Sequence, residues 1–236
     1  MEIQIAVAKI NKYAVSESGD TLEVVERPNG GLSVVLADGQ SSGRGAKAVS
    51  MMVVRKVISL LAEGVRDGAA ARAAADALYT EKAGKVSSTL NIASFDMHSK
   101  SIVLTRNNPS PVLIAKGTDV SVLDGESKPI GNHRHSRPLI NEIPIEPDLT
   151  IVFFTDGLVH AGERRGTPMD ARSIFSDFLL MKNQSAQTLA DALLECAINL
   201  DERRPSDDCS VVVLKVAIRT GDDVRRMNVH FPIDLR

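Results

Sequence analysis

Two nearly unbroken apolar runs, residues 32–37 and 149–155, each lead straight into Asp-Gly, at Asp38-Gly39 and Asp156-Gly157. Neighbouring side chains of a strand point to opposite faces, so a strand that is apolar at successive positions is covered on both sides. A chain with two such strands needs layers above and below them. The remaining strand signals have period two. Residues 2–9 alternate, as do residues 21–26, and Pro28-Asn29-Gly30-Gly31 is a hairpin signal between the second strand and the first apolar run. Short strands follow at 88–97, 101–106, 112–116 and 120–123, with Asn107-Asn108-Pro109-Ser110-Pro111 as a breaker. Residues 124–148 read as a long loop with one short strand at 139–143, and residues 209–217 form the last strong strand.

Between these strands the period becomes helical. Residues 43–62 carry Val49, Met52, Val53, Val57, Ile58 and Leu61 over most of the surface, which predicts a largely buried helix. Arg44, Lys47, Arg55 and Ser59 share its narrow polar stripe. Asp67 is placed to cap an Ala-rich helix over 68–82. A second helix pair is expected at 169–181 and 185–200, the latter capped by Ser185. Many hairpins and two helix pairs exclude an all-parallel wound sheet. The fold class is α+β: a four-layer α/β-β/α sandwich of two antiparallel sheets flanked by helices. The chain of 236 residues suits one domain over 1–218. Residues 219–236 read as a C-terminal extension: an extra strand at 227–233, an association arm, or disorder.

Composition removes several classes of function. A net charge of -2 gives no reason to expect nucleic acid or an anionic membrane as partner. No apolar run approaches the 18 or so residues of a membrane span, and the alternating N-terminus reads as a strand and not a signal peptide. Cys196 and Cys209 have no metal-type spacing, which fits two reduced thiols in a cytoplasmic protein.

Four acidic positions mark strand ends: Asp20 before one strand, Asp38 and Asp156 after two others, and Asp207-Asp208 before the last. Asp-Gly alone is a common turn dipeptide. The repeat of one grammar, apolar strand then Asp-Gly, together with Asp-Asp opening an apolar strand, suggests instead that carboxylates meet at one rim. Two carboxylates about 4 Å apart repel by about 4 kcal/mol at an effective dielectric near 20. A raised pKa or a bound cation resolves this. An all-oxygen donor set calls for a hard ion, Mg2+ or Mn2+. Gly39 leaves its carbonyl accessible as a further ligand. Ser41, Ser42 and Gly43 expose N–H groups at a helix start, where an anion would be favoured. Metals beside a phosphate site suggest hydrolysis by an activated water.

The segments ESGD, VVLADGQSSGRGAKA, FFTDGLVHAG and SDDCSVVVLKV stand in the order found in the metal-dependent protein phosphatases (PPM, or type 2C). TLNIASFDMHSKSIVLTRNNPSPVLI and SKPIG are similar to the compact bacterial branch typified by SpoIIE and RsbX, and the resemblance spans about residues 2–217. It implies two Mn2+ or Mg2+ ions at one edge of the sandwich and hydrolysis of phosphoserine or phosphothreonine on a protein. By position, Asp38 would bridge both ions and the Gly39 carbonyl would bind the second. Asp156 and Asp207 would complete the first, with Asp20 supporting the second and Asp208 ranking below Asp207. Asp38, Asp156 and Asp207 would be the catalytic set, and Ser42, Gly43, Arg44 and His160 the weaker candidates on the phosphate side, His160 as proton donor to the leaving group. Partners in this branch are STAS-type anti-sigma antagonists and stressosome components, which implies a cytoplasmic regulator of a partner-switching pathway. The branch usually has Gly where this chain has Ser41, and the phosphate-binding arginine of larger relatives has no clear counterpart.

Other readings compete. Gly43-Arg44-Gly45-Ala46-Lys47-Ala48 fits G-x-G-x-x-A, but the glycines start well past the strand end and Glu63 falls at a helix end, which argues against a dinucleotide site. No Gly-Lys-Ser/Thr follows, so a P-loop is excluded. A phosphatase-like scaffold that binds a phosphoprotein without turnover is the non-enzymatic alternative. His133 and His135 read as solvated loop residues, or as part of a loop that flanks the site and selects the partner. His98 and His230 carry no signal.

Overall fold

The computed structural model describes residues 1–181, 184–219 and 221–232. In chain order they form β1 (Glu2–Ile10), β2 (Asp20–Glu26), β3 (Leu32–Gly39), α1 (Gly43–Ala62), α2 (Asp67–Lys82), β4 (Ser88–Asp96), β5 (Ser101–Asn107), β6 (Val112–Lys116), β7 (Asp119–Leu123), β8 (Leu139–Pro144), β9 (Leu149–Phe154), α3 (Asp156–Val159), α4 (Ala171–Leu179), α5 (Ala186–Leu200) and β10 (Cys209–Ala217). One sheet runs β1-β10-β9-β6-β7 and the other β2-β3-β4-β5-β8, with every pairing antiparallel.

The apolar runs have the physical cause expected of them. In β3, Val34 and Leu36 face the other sheet, where they meet Ile151, Phe153, Val212 and Leu214. The alternate residues Val35 and Ala37 pack beneath α1 and α2 with Val53, Val57 and Leu78. In β10, Val212 and Leu214 line the central core, while Val211 and Val213 pack against Leu189, Leu193 and Phe175 from α4 and α5. Three apolar layers thus separate four layers of structure, and the central strands β3, β9 and β10 have almost no solvent face, whereas the edge strands β7 and β8 keep one.

Several local expectations are corrected. Asp67 is not a cap: it is the first residue of α2, and Arg66 occupies the N-cap with no side-chain bond. The buried Asp67 instead accepts from Arg27 at 2.9 Å. Helix α1 has one buried face, with Arg55 and Ser59 exposed as expected, but Lys47 turns inward. Asp156-Gly157 opens the short helix α3, which ends at Val159, and α4 starts at Ala171, two residues later than expected, under an Asp170 cap. Ser185 caps α5, accepting from the Thr188 N–H. Arg219 and residues 221–232 form no helix or strand, and the expected strand at 227–233 ends outside the described residues. No described helix is long and apolar enough to cross a membrane.

Candidate metal centre

β2 begins, β3 ends and β4 begins at one rim. Asp20 lies opposite Asp38, and Gly39 opposite Ser88. The other sheet contributes the end of β9 and the start of β10, where Phe154 lies opposite Val211. This packing brings the two sets of strand ends together at Asp20. Its Oδ2 accepts from Thr155 Oγ1 at 3.0 Å and Ser210 Oγ at 2.6 Å, both from the facing sheet. Its Oδ1 is buried, and among the described residues no N–H or hydroxyl donates to it. The neighbouring groups are further carboxyls: Asp38, opposite Asp20 in the ladder, lies close enough to feel the charges of both Asp20 and Asp156.

Such crowding has a measurable electrostatic signature. Burial, then repulsion from Asp20 and Asp156, pushes Asp38 up to about 9. Burial raises Asp20 to about 6, against the lowering effect of Ser210, Lys9 and Thr155. Asp156 is also raised, by burial and by Asp207, with His160 opposing. A hard divalent cation would answer all three features at once: the orphaned Oδ1, the mutual repulsion, and a donor set made only of oxygen. The residues therefore fit the ion. Among the described residues no three His, Cys, Asp or Glu side chains are already drawn together as a finished cage. Asp207 stands at the outer side, 44% exposed and 3.8 Å from Lys12 Nζ.

The two Asp-Gly steps are not turns. Asp38-Gly39 ends β3 itself, and Asp156-Gly157 opens α3. Neither glycine has positive φ. A Cβ on Gly39 would lie 2.0 Å from the Ala46 carbonyl oxygen, and one on Gly157 would lie 2.1 Å from that of Asp208. Each glycine lets another backbone segment close on the residue beside its aspartate. The Asp38 carbonyl in turn accepts from Ser88 Oγ at 2.8 Å.

The other expected site residues divide. Asp208 is tied down: Oδ1 accepts from the Lys12 N–H (2.9 Å) and Oδ2 from the Gly19 N–H (2.7 Å). This clasp holds the β1–β2 loop, including the approach to Asp20, and engages both Asp208 oxygens within the protein. Arg44 is 88% exposed at the side chain and pairs with Glu17, so it does not enter the rim. Ser42 is exposed and makes no side-chain cap bond, and Gly43 has φ +69°. His160 pairs with Glu163 at 2.9 Å on the exposed side of α3. The His133 and His135 loop is exposed, consistent with solvated side chains.

Four residues of the site were not foreseen. Thr155 and Ser210 are the hydroxyls on Asp20, and their one readable signal was a polar residue at the end of an apolar strand. Lys9 and Lys47 both donate to the Asp20 carbonyl, at 2.6 and 2.8 Å, and Lys47 also donates to Thr21 Oγ1 at 2.9 Å. Burial lowers the pKa of both lysines. No spacing signals their convergence, because β1, β2 and α1 meet only in the fold. At the rim Asp20 is buried, Asp38 and Asp156 are half-buried, and the Asp207 side chain is 44% exposed. A cavity of about 210 Å³ at the far end of the β9 sheet, lined by residues such as Gly117, Asp148, Phe178 and Lys215, contains none of these acids.

Comparison with known proteins gives a consistent result. The family model "Stage II sporulation protein E (SpoIIE)" matches residues 28–217. Stage II sporulation protein E of Priestia megaterium is 21% identical over 220 residues, which is 92% of this chain and 37% of that protein. This chain thus spans little more than a third of that relative. The solved PP2C phosphatase domain, with a fragment of the regulatory domain, of SpoIIE from Bacillus subtilis has a TM-score of 0.79 at 20% identity, covering 92% of this chain and 64% of that one. RsbX in complex with magnesium has a TM-score of 0.68 at 17% identity, covering 90% and 94%. The fold is that of the PP2C phosphatase domains, as expected from the sequence.

Proposed function

This chain belongs to the SpoIIE family, and on that footing we propose that it is a metal-dependent serine/threonine protein phosphatase. Its substrate would be a phosphorylated signalling protein of the STAS type. The observation that carries this reading is the opposition of Asp20 and Asp38 with the buried, donorless Oδ1 between the sheets. Asp38, the Gly39 carbonyl, Asp156 and Asp207 would hold Mn2+ or Mg2+, two ions in all, with Asp20 in support. The ions, when bound, would activate the attacking water and offset charge on the phosphoryl oxygens.

The protein's own contribution is orientation. Thr155 and Ser210 fix one oxygen of Asp20 and leave the other without a donor. Lys9 and Lys47 hold the Asp20 main chain from two sides. Asp208 fixes the loop before Asp20, and Ser88 the carbonyl of Asp38. Direct attack by such an activated water would need no covalent enzyme intermediate. Residues 1–218 would form the catalytic unit.

The outward position of Asp207 beside Lys12 favours one other reading, a scaffold that binds a phosphoprotein without turnover. Hydrolysis of p-nitrophenyl phosphate and of a phosphoserine peptide, with and without Mn2+ or Mg2+, separates the two. Asp38→Asn and Asp156→Asn should each lower turnover by at least about 10²-fold in a folded protein. Full activity in either folded variant refutes the assignment; absence of both turnover and calorimetric Mn2+ binding leaves the scaffold.

A further inference from the structure

Building on the phosphatase reading, we propose that the loop 127–137 is a docking surface for an acidic stretch of the substrate protein beside its phosphorylated residue. The segment SKPIGNHRHSR carries Lys128, Arg134, Arg137, His133 and His135 and no Asp or Glu, in a chain whose net charge is -2. All five side chains belong to exposed residues. The acids that touch the loop are few. Glu126 pairs with Lys128 at 3.2 Å, and Asp76 accepts from the His135 N–H at 3.4 Å. Arg134 lies over the Tyr79 ring at 5.1 Å. Among the described residues neither Arg134 nor Arg137 has an acidic partner within 4 Å.

A solvated run of charge needs no scaffold, yet this loop is built on one. Asn107 Nδ2 donates to the carbonyls of both Lys128 and Arg137, at 3.2 and 3.4 Å, and so ties the two ends together. Ser127 Oγ donates to the Arg106 carbonyl and accepts from the Asn108 N–H. The buried Arg106 guanidinium holds the carbonyls of Ser110, Leu123 and Gly125 beneath it. Gly131, at φ +105°, passes so close to Val86 that a Cβ would lie 2.5 Å from its carbonyl. The cations are therefore presented on a prefixed frame, which reduces the ordering cost of binding.

The frame is attached to the candidate metal centre. Ile130 and Ser88 exchange two backbone hydrogen bonds at 2.9 Å, and Ser88 Oγ donates to the Asp38 carbonyl. The loop is thus anchored, at Ile130, to the residue that holds the Asp38 carbonyl. A phosphoprotein with acidic residues beside its phosphate would be repelled by the acidic rim, and a fixed cationic wall next to that rim offsets the repulsion and orients the approach.

The test uses two phosphoserine peptides of equal length, one flanked by Asp and Glu and the other by Asn and Gln. Both kcat/KM with Mn2+ and binding by fluorescence anisotropy are measured on the full chain. The acid-flanked peptide should be preferred by about 5- to 20-fold at low salt, and the preference should collapse toward 1 at about 0.5 M NaCl. Arg134→Gln/Arg137→Gln should abolish the preference while p-nitrophenyl phosphate turnover stays within about twofold of wild type. Arg137→Gln alone, which spares the contact with Tyr79, should give a partial loss. No acid preference in the wild type, or one unchanged in the double variant, overturns the proposal. If neither peptide nor the aryl phosphate is hydrolysed, the phosphatase reading fails, and the anisotropy ratio still decides whether the loop selects acidic flanks.

Discussion

Asp20 and Asp38 lie opposite each other in the β2–β3 ladder, and one carboxyl oxygen of Asp20, Oδ2, is held by Thr155 and Ser210 of the other sheet. The site is therefore a joint between the sheets as well as a cluster of acids. A carboxylate at the mouth of one sheet is oriented by hydroxyls at the mouth of the other, so on the proposed function stability and metal affinity should be coupled through the same two bonds.

Ser210→Ala and Thr155→Val should each lower unfolding free energy by about 1–3 kcal/mol, since each leaves a buried carboxylate short of a donor. Both should also weaken Mn2+ binding, by about 10-fold or more, as removal of an orienting partner does. Denaturant unfolding without metal and calorimetric titration with Mn2+ read the two effects separately. A loss of stability with unchanged Mn2+ affinity would show that these hydroxyls serve the fold alone.

The acids also set a pH dependence. Asp38 and Asp20 have folded-state values raised above those of the unfolded chain, to about 9 and about 6. Between about pH 4 and pH 9 the folded protein thus binds more protons than the unfolded one, and stability falls as pH rises through that window. The metal-free protein should lose Tm steadily from about pH 5 to pH 9. Added Mn2+ or Mg2+ takes the place of the bound proton, so its increment in Tm should grow with pH. Differential scanning calorimetry at several pH values, in EDTA and in excess metal, checks both slopes. A metal-free Tm that rises with pH would contradict the assigned crowding.

How far the sequence discloses this molecule depends on the range of each signal. The bounds of α1 and the doubly covered strands were legible, because periodicity and apolar runs are local consequences of burial. Asp38 and Asp156 were legible as strand-end acids. Their glycines were legible only as residues, since the reason for them is the approach of Ala46 and Asp208 from distant segments. Asp208 reads in sequence as the twin of Asp207. Only the fold shows its oxygens engaged by Lys12 and Gly19, more than 180 residues earlier. Lys47 carries the pattern of a solvent stripe and reaches a buried carbonyl instead. Its flexible stem lets it leave the face that helical spacing assigns to it.

Asp67 shows the same failure at the far end of β2. Its position before an Ala-rich helix reads as a cap, yet Arg27 donates to it from the hairpin, with Arg27 Nη2 also on the Val65 carbonyl at 3.0 Å. Both partners are nearly out of solvent, at 10% and 6% exposure of the side chain. Breaking such a pair leaves one buried charge alone, so Arg27→Met or Asp67→Leu should each cost about 3–5 kcal/mol. The double variant should recover at least half of that loss, since it removes both desolvated charges. A helix-capping role instead predicts a cost near 1 kcal/mol for the Asp67 change and no recovery in the double variant. Urea unfolding of the three variants distinguishes these outcomes.

Gly39→Ala tests whether the backbone at Asp38 is set by helix packing. The φ of Gly39 is not positive, so alanine meets no backbone penalty there and its effect isolates the contact with Ala46. A carbonyl 2.0 Å from the new methyl must move, which means that the first turns of α1 must shift away from β3. The expected cost is about 1–3 kcal/mol or more, as for overpacking of a close-packed interior. Lys47 rides on the same helix and would be drawn away from the Asp20 carbonyl, so metal affinity should fall together with stability. Gly157→Ala should behave alike at Asp156, through the carbonyl of Asp208 at 2.1 Å. By contrast, Gly45→Ala, where a Cβ meets nothing within 4 Å, should be neutral or stabilising, because it only replaces glycine inside a helix. Thermal unfolding of the three variants, with Mn2+ titration of those that fold, gives the comparison. Equal effects at Gly39 and Gly45 would refute the packing account.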